Sequence, residues 1–228
     1  NYSYLWNVNR IFGGSGSSVQ AKDLDSDSHV FTATFKPAWG NVSVFGYALD
    51  FTDAATLSSV TYGVSYAGDM GPFAINASVA SQSDHGANPV NYRADYLAFD
   101  GSYQLGSVNV LIGYELLGSD GGEAAFQTPL ATLHKFQGWA DLFLSTPATG
   151  IDDRYMTLSG KTGPLSLSAT YHNFRAHEGD AVFGNEWDLI AAYAVNRNIS
   201  LELKYATYDE DGFGVDTDKF WFSVLLSF

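Results

Sequence analysis

Along almost the whole chain, apolar and polar side chains alternate with a period of two. The blocks are about ten residues long and are separated by turn-forming residues, a pattern that dictates β-strands. The last block shows it most clearly. From Lys219 to Phe228 one parity holds Phe220, Phe222, Val224, Leu226 and Phe228, while the other starts at Lys219 and includes Ser223 and Ser227. Leu201, Leu203 and Tyr205 alternate with Glu202, Lys204 and Ala206, and Trp187, Leu189 and Tyr193 with Glu186, Asp188 and Ala192. Leu165, Leu167, Ala169 and Tyr171 do the same against Ser166, Ser168, Thr170 and His172, and earlier blocks fall at 2–11, 28–36, 41–50, 57–67, 72–81, 93–104, 107–117 and 153–161.

The connections alternate in length. Tight turns at 37–40, 68–71, 104–107, 161–164 and 196–198 are interleaved with longer polar segments at 13–27, 51–56, 82–92, 118–152, 176–184 and 209–218. Short turns at one end and long loops at the other are the pattern of an outer-membrane β-barrel. The stretch from Thr132 to Leu144 tests this topology, because one more strand there would put the C-terminus at the wrong end. Leu133, Phe136, Ala140, Phe143 and Leu144, at spacings of mostly 3 and 4, are therefore expected on a short helix inside one long loop. The expected fold is all-β, a single transmembrane antiparallel barrel over 1–228 of about twelve strands, with both termini on the periplasmic side.

Composition narrows the alternatives. With Lys+Arg 11 against Asp+Glu 25 and a net charge of −14, the chain lacks the contiguous basic surface that nucleic acid needs. Cys is 0, which removes a disulfide scaffold, a thiolate zinc site and a cysteine nucleophile. No apolar run approaches the roughly 20 residues of a membrane-spanning helix. Asn1-Tyr2-Ser3-Tyr4-Leu5-Trp6 lacks the features of a signal peptide, so any such leader is expected to lie outside this sequence. A soluble β-sandwich would also alternate. However, the less apolar parity carries Asn76, Ser78, Asn109, Ser166 and Thr170, which fill a dry core poorly, and the other carries Tyr62, Tyr66, Tyr103, Tyr171, Trp187 and Phe228 towards strand ends, as interfacial girdles do.

A final alternating strand with a terminal aromatic, Phe220-Trp221-Phe222-Ser223-Val224-Leu225-Leu226-Ser227-Phe228, resembles the signal by which the barrel-assembly machinery recognises its clients. Longer runs are more specific. Tyr4-Leu5-Trp6-Asn7-Val8-Asn9-Arg10-Ile11-Phe12-Gly13, Phe126-Gln127-Thr128-Pro129-Leu130-Ala131-Thr132-Leu133-His134-Lys135-Phe136, Gly138-Trp139-Ala140-Asp141 and Glu186-Trp187-Asp188-Leu189 resemble the bacterial alginate-export family of outer-membrane porins. Members of that family resemble a larger, eighteen-stranded barrel in which the segment similar to 4–13 lies well inside the sequence. The resemblance thus implies about six fewer N-terminal strands here, in a fragment, an engineered truncation or a natural shorter barrel.

If Phe228 faces lipid, alternation turns Lys36, Asn76, Asp100, Asn109, Glu115, Tyr155, Lys161, His172, Asp188, Glu202 and Lys204 towards the pore. That surface is polar and mixed in sign. A polyuronate pore is expected to carry rings of Arg or Lys, yet Arg10, Arg93, Arg154, Arg175 and Arg197 map mostly to loops, turns and strand ends. Glu115, Glu202 and Lys204 are either wall-bracing ion pairs or a selectivity element. His134, Lys135, Trp139 and Asp141 in the 118–152 loop are expected at a constriction, because aromatic and hydrogen-bonding groups together suit sugar-like solutes. The same loop packed on the outer rim is the alternative.

Asp23-Leu24-Asp25-Ser26-Asp27-Ser28 spaces its carboxylates like a calcium loop but has no glycine at the sixth position and Thr34 where a bidentate Glu belongs. Those acids, with Asp209-Glu210-Asp211, Asp216 and Asp218, are expected to form a solvated rim that meets lipopolysaccharide phosphates through divalent cations. No Gly-x-Ser-x-Gly occurs, no histidine cluster has metal-ligand spacing, and His172 is expected inward while His29 lies near a strand end and His85, His134 and His177 in loops. The expectation is a channel in the bacterial outer membrane for small hydrophilic solutes, neither enzyme nor cofactor-dependent. The alternatives are passage of alginate-like anionic saccharides and a truncated or engineered barrel that serves as a non-conducting scaffold.

Overall fold

The computed structural model describes residues 1–9, 23–131 and 133–227. Arg10, Thr132 and Phe228, and with Phe228 the assembly signal, lie outside them. The alternating blocks are strands: β1 (Tyr2–Val8), β2 (Leu24–Phe35), β3 (Asn41–Leu49), β4 (Ser59–Met70), β5 (Phe73–Asp84) and β6 (Arg93–Leu105). They continue as β7 (Val108–Leu117), β8 (Ile151–Thr162), β9 (Leu165–Arg175), β10 (Val182–Ala194), β11 (Ile199–Glu210) and β12 (Thr217–Leu226). Each pairs antiparallel with its neighbours in chain order, giving one 12-stranded sheet. Three turns need only two residues between strands, and Gly71, Gly106 and Gly163 meet their left-handed φ of 64°, 60° and 55° without a Cβ penalty.

Several strands run further towards the long-loop end than the sequence pattern suggests. β2 begins at Leu24 rather than near 28, because Asp25 and Asp27 face outward while Ser26 and Ser28 face inward. With polar residues on both faces the alternation is invisible there. Among the described residues no ladder joins β1 to β12, so the expected barrel wall is present but the sheet does not close and keeps two free edges.

The faces follow the expected parity. The outer one is an apolar surface on which Ile112, Met156, Leu167 and Phe222 are 64%, 50%, 49% and 59% exposed. Tyr62, Tyr103 and Trp187 stand exposed on the same side, as aromatic girdles do. A continuous apolar exterior is matched to hydrocarbon rather than water, and no described helix is long and apolar enough to cross a membrane. The inner face is packed only towards the long-loop end. There Ala140 and Phe143 of the 118–150 loop are buried against Ile151, Phe174, Phe183, Ala206 and Tyr208, and Phe126 against Ala80, Ala94 and Leu117.

That loop departs from the expected helix. Among its described residues it contains a single 3-10 turn, Leu133–Lys135, and the next residues break any helical course, with φ of 53° at Gln137, 81° at Gly138 and 59° at Asp141. The physical reason lies in the partners of its backbone. The N–H groups of Trp139 and Ala140 donate to carboxylates on the wall and so are withdrawn from helical bonding.

Candidate functional site

Loop 118–150 lies on the inner face of the sheet and is fastened to it at both sides. On one side the buried Gln82 of β5 bonds both backbone groups of Gln127, accepting from its N–H at 2.8 Å and donating to its carbonyl at 2.9 Å. Gln127 in turn bonds the backbone of Thr146 through both ends of its amide, which closes the loop on itself. Gln137 donates to Glu115 of β7 at 2.6 Å. On the other side Trp139 and Ala140 donate their N–H groups to Asp188 and Glu186 of β10, at 3.2 Å and 2.7 Å.

The loop then meets the last two strands. Asp141 lies 2.8 Å from the His134 ring and accepts from Lys219 of β12 at 2.7 Å. Lys204 of β11 is 3.1 Å from Nε2 of His134 and sits 3.9 Å from the centre of the Trp139 ring. At such contacts a cation is held by hydrogen bonding and by the ring quadrupole together. The loop therefore spans the inner face from β5 to β12 and is not packed on the outer rim.

Of the loop residues expected at a constriction, His134, Trp139 and Asp141 are brought together with Lys204. Lys135 is not: it is exposed, and its ammonium lies 5.4 Å from the neighbouring Phe136 ring. Among the wall residues, His172 sits between Asp153 at 2.9 Å and Asp188 at 3.8 Å and stacks on Tyr155. Asn76 donates to Asp100 at 2.8 Å. Asn109 and Lys161 line a recess of about 400 Å³ with Ser159 and Ser166 nearer the tight turns. Glu202 has inward parity opposite Ala192 and Ser223. Lys36 follows the end of β2 and is exposed. The expected bracing pairs of Glu115 or Glu202 with Lys204 do not form among the described residues, since Lys204 is committed to the loop.

Gln82, Gln127, Gln137, Glu186 and Lys219 escaped the sequence analysis as site residues. Parity alone would have included Gln82, Glu186 and Lys219 on the inner face, but nothing in the sequence pairs a strand position with a loop backbone. Among the described residues no group of three or more His, Asp or Glu side chains is arranged to hold a metal ion.

No family model and no curated protein matches the sequence. Solved structures do match. OccK5 (OpdH) of Pseudomonas aeruginosa aligns with a TM-score of 0.63 at 14% identity, over 90% of this chain and 60% of that one. OccAB4 of Acinetobacter baumannii gives 0.64 at 12% identity, over 92% and 55%. The outer-membrane protein OmpT of Vibrio cholerae with its loop L8 deleted gives 0.54 at 14% identity, over 99% and 73%.

The fold is that of the outer-membrane porins. At these identities the likeness concerns the fold and not the alginate-export family in particular. The chain spans 60% and 55% of the length of the two Occ proteins.

Proposed function

We propose that this chain forms the wall and constriction of a passive channel in the bacterial outer membrane for small hydrophilic solutes. One observation carries the proposal: a long loop folded onto a polar inner face and tethered from β5 to β12, beneath an exterior suited to lipid. A loop held in that place narrows a lumen and sets what passes it. No covalent chemistry and no cofactor are required. In this reading the acidic residues of the long loops meet lipopolysaccharide through divalent cations, and the C-terminal aromatic signal is what the assembly machinery recognises.

An alginate-like substrate is the second reading, favoured by the sequence runs described above. It is opposed by the charge beside the loop, where Glu115, Asp153, Glu186 and Asp188 outnumber Lys204 and Lys219 and no arginine ring stands among the described residues. Conduction also requires the seam between β1 and β12 to be closed, since unpaired backbone groups in hydrocarbon cost several kcal/mol each.

Planar-bilayer recording of the refolded chain in a salt gradient tests the proposal. Discrete open steps with a reversal potential of cation-preferring sign are expected. Silence from protein shown to be folded by heat-modifiable gel mobility would replace the channel by a scaffold, and anion preference would revive the uronate reading.

A further inference from the structure

The loop does not fill the whole inner face. Between its 126–137 segment and strands β2 to β7 it leaves a chamber of about 460 Å³, within the range that accommodates a small organic molecule. Most of the wall is apolar and aromatic: Phe45 and Tyr47 from β3, and Phe126 and Phe136 from the loop. Phe45 stacks with Tyr47 at 5.1 Å between ring centres. Phe136 is 42% exposed, so the chamber is not sealed. Among the described residues no lysine, arginine or histidine lines it, and Glu115 is the one acidic side chain that does.

Glu115 is held firmly. Tyr96 donates to one carboxylate oxygen at 2.6 Å and Gln137 to the other at 2.6 Å. Both donors are neutral, and among the described residues no basic group lies within ion-pair distance of Glu115. Two hydrogen bonds use about half of the acceptor capacity of a carboxylate. The group is thus positioned, partly desolvated and without a cation at contact distance among the described residues, beside aromatic faces that attract cations.

We propose that this chamber is a binding site for organic cations that join an ammonium group to a ring or short apolar body. The ammonium lies against Glu115 and supplies a cation at contact distance, and the body lies among Phe45, Tyr47, Phe126 and Phe136. A carboxylate-bearing solute of the same shape is excluded, because it would meet Glu115 with no cation to offset the repulsion. This deepens the channel reading by naming a solute class, but it concerns binding and is measured without conduction.

The test uses three probes of one shape, phenethylammonium, 2-phenylethanol and phenylacetate, titrated by calorimetry into the folded chain in detergent. Phenethylammonium is expected to bind at least about tenfold more tightly than either of the others. Glu115→Gln, which keeps a hydrogen-bonding side chain of the same size, is expected to erase that discrimination. Asp180→Asn, which changes an exposed acid of the connection between β9 and β10 and leaves the chamber untouched, is expected to leave it intact. Equal affinity for the alcohol would reduce the chamber to an apolar recess, preference for phenylacetate would reverse the charge assignment, and no binding of any probe would remove the site. Each result is independent of bilayer recordings, so a silent barrel that discriminates the probes would sink the channel and keep the site.

Discussion

Gln82 and Gln127 are hydrogen-bonded reciprocally: the side-chain amide of Gln82 takes the N–H of Gln127 at 2.8 Å and gives to its carbonyl at 2.9 Å, as a neighbouring strand would. Gln82 is 2% exposed and also donates to Thr61 at 2.9 Å. Replacing it by Leu leaves two backbone groups of Gln127 without these partners, and each such group costs about 1–3 kcal/mol where water does not replace the lost bond. Gln82→Leu should therefore release the loop while the strands persist. Faster protease cleavage within 118–150, together with larger and noisier current steps, is the expected outcome. Unchanged cleavage would show that the loop is held elsewhere.

Tyr92 reads out the same anchor. Its hydroxyl donates to Gln82 at 3.0 Å, and burial, with the Asp84 charge adding to it, pushes the phenol up to about 12. A raised phenol contributes stability that is fully present below the ordinary tyrosine value near 10 and is lost as pH rises through the folded value. Ultraviolet titration of the folded protein should thus show a late phenolate step that is absent from Tyr92→Phe. In wild type the loop should become protease-sensitive between about pH 10 and pH 12. A Tyr92 step at the ordinary value would show that the anchor is open to solvent.

The strands were legible because a two-faced wall repeats one physical demand, lipid outside and polar inside, at every second residue. Asn76, Asp100, Glu115, His172, Asp188 and Lys204 fall on the inner face for that reason alone. The loop was not legible. Its course is fixed by single bonds from backbone N–H groups to Glu186 and Asp188, which leave no period in the sequence, and the apolar spacing of Phe136, Ala140 and Phe143 imitates a helix that the bonding forbids. Lys36 marks another limit: parity continues in the sequence past the point where β2 ends.

Gly138 shows what that bonding demands of the backbone. Its φ of 81° is left-handed, and the position that a Cβ would occupy is taken by the Glu186 carboxylate. Gly138→Ala carries about 1 kcal/mol of backbone strain and displaces the carboxylate that receives Ala140. Thermal unfolding should shift only slightly while protease sensitivity of 118–150 rises clearly. A large loss of folded barrel would mean that the loop is required for assembly of the wall.

Lys204 lies where its charge acts on permeating ions, 3.9 Å from the centre of the Trp139 ring and 3.1 Å from His134. Lys204→Met keeps the length of the side chain and removes the charge, at a cost of about 0.5–2 kcal/mol in lost cation–π attraction. The remaining inner-wall acids should then move the reversal potential further towards cation preference in a salt gradient. No movement would place Lys204 outside the permeation path.

The edges of the sheet yield the last expectation. β1 and β12 each pair with one neighbour, and among the described residues no ladder joins them, whereas β6 is bonded on both sides, to β5 and β7. Amides that face a partner strand exchange only through opening, while those facing a free edge exchange wherever water or detergent headgroups reach them. A refolded chain that conducts has this seam closed by pairing, so the amides of Tyr2–Val8 and Thr217–Leu226 should lose deuterium as slowly as those of Arg93–Leu105. Rapid loss from alternate amides of β1 and β12 would mean that the two edges stay free, and a twelve-stranded wall open in that way carries no isolated pore.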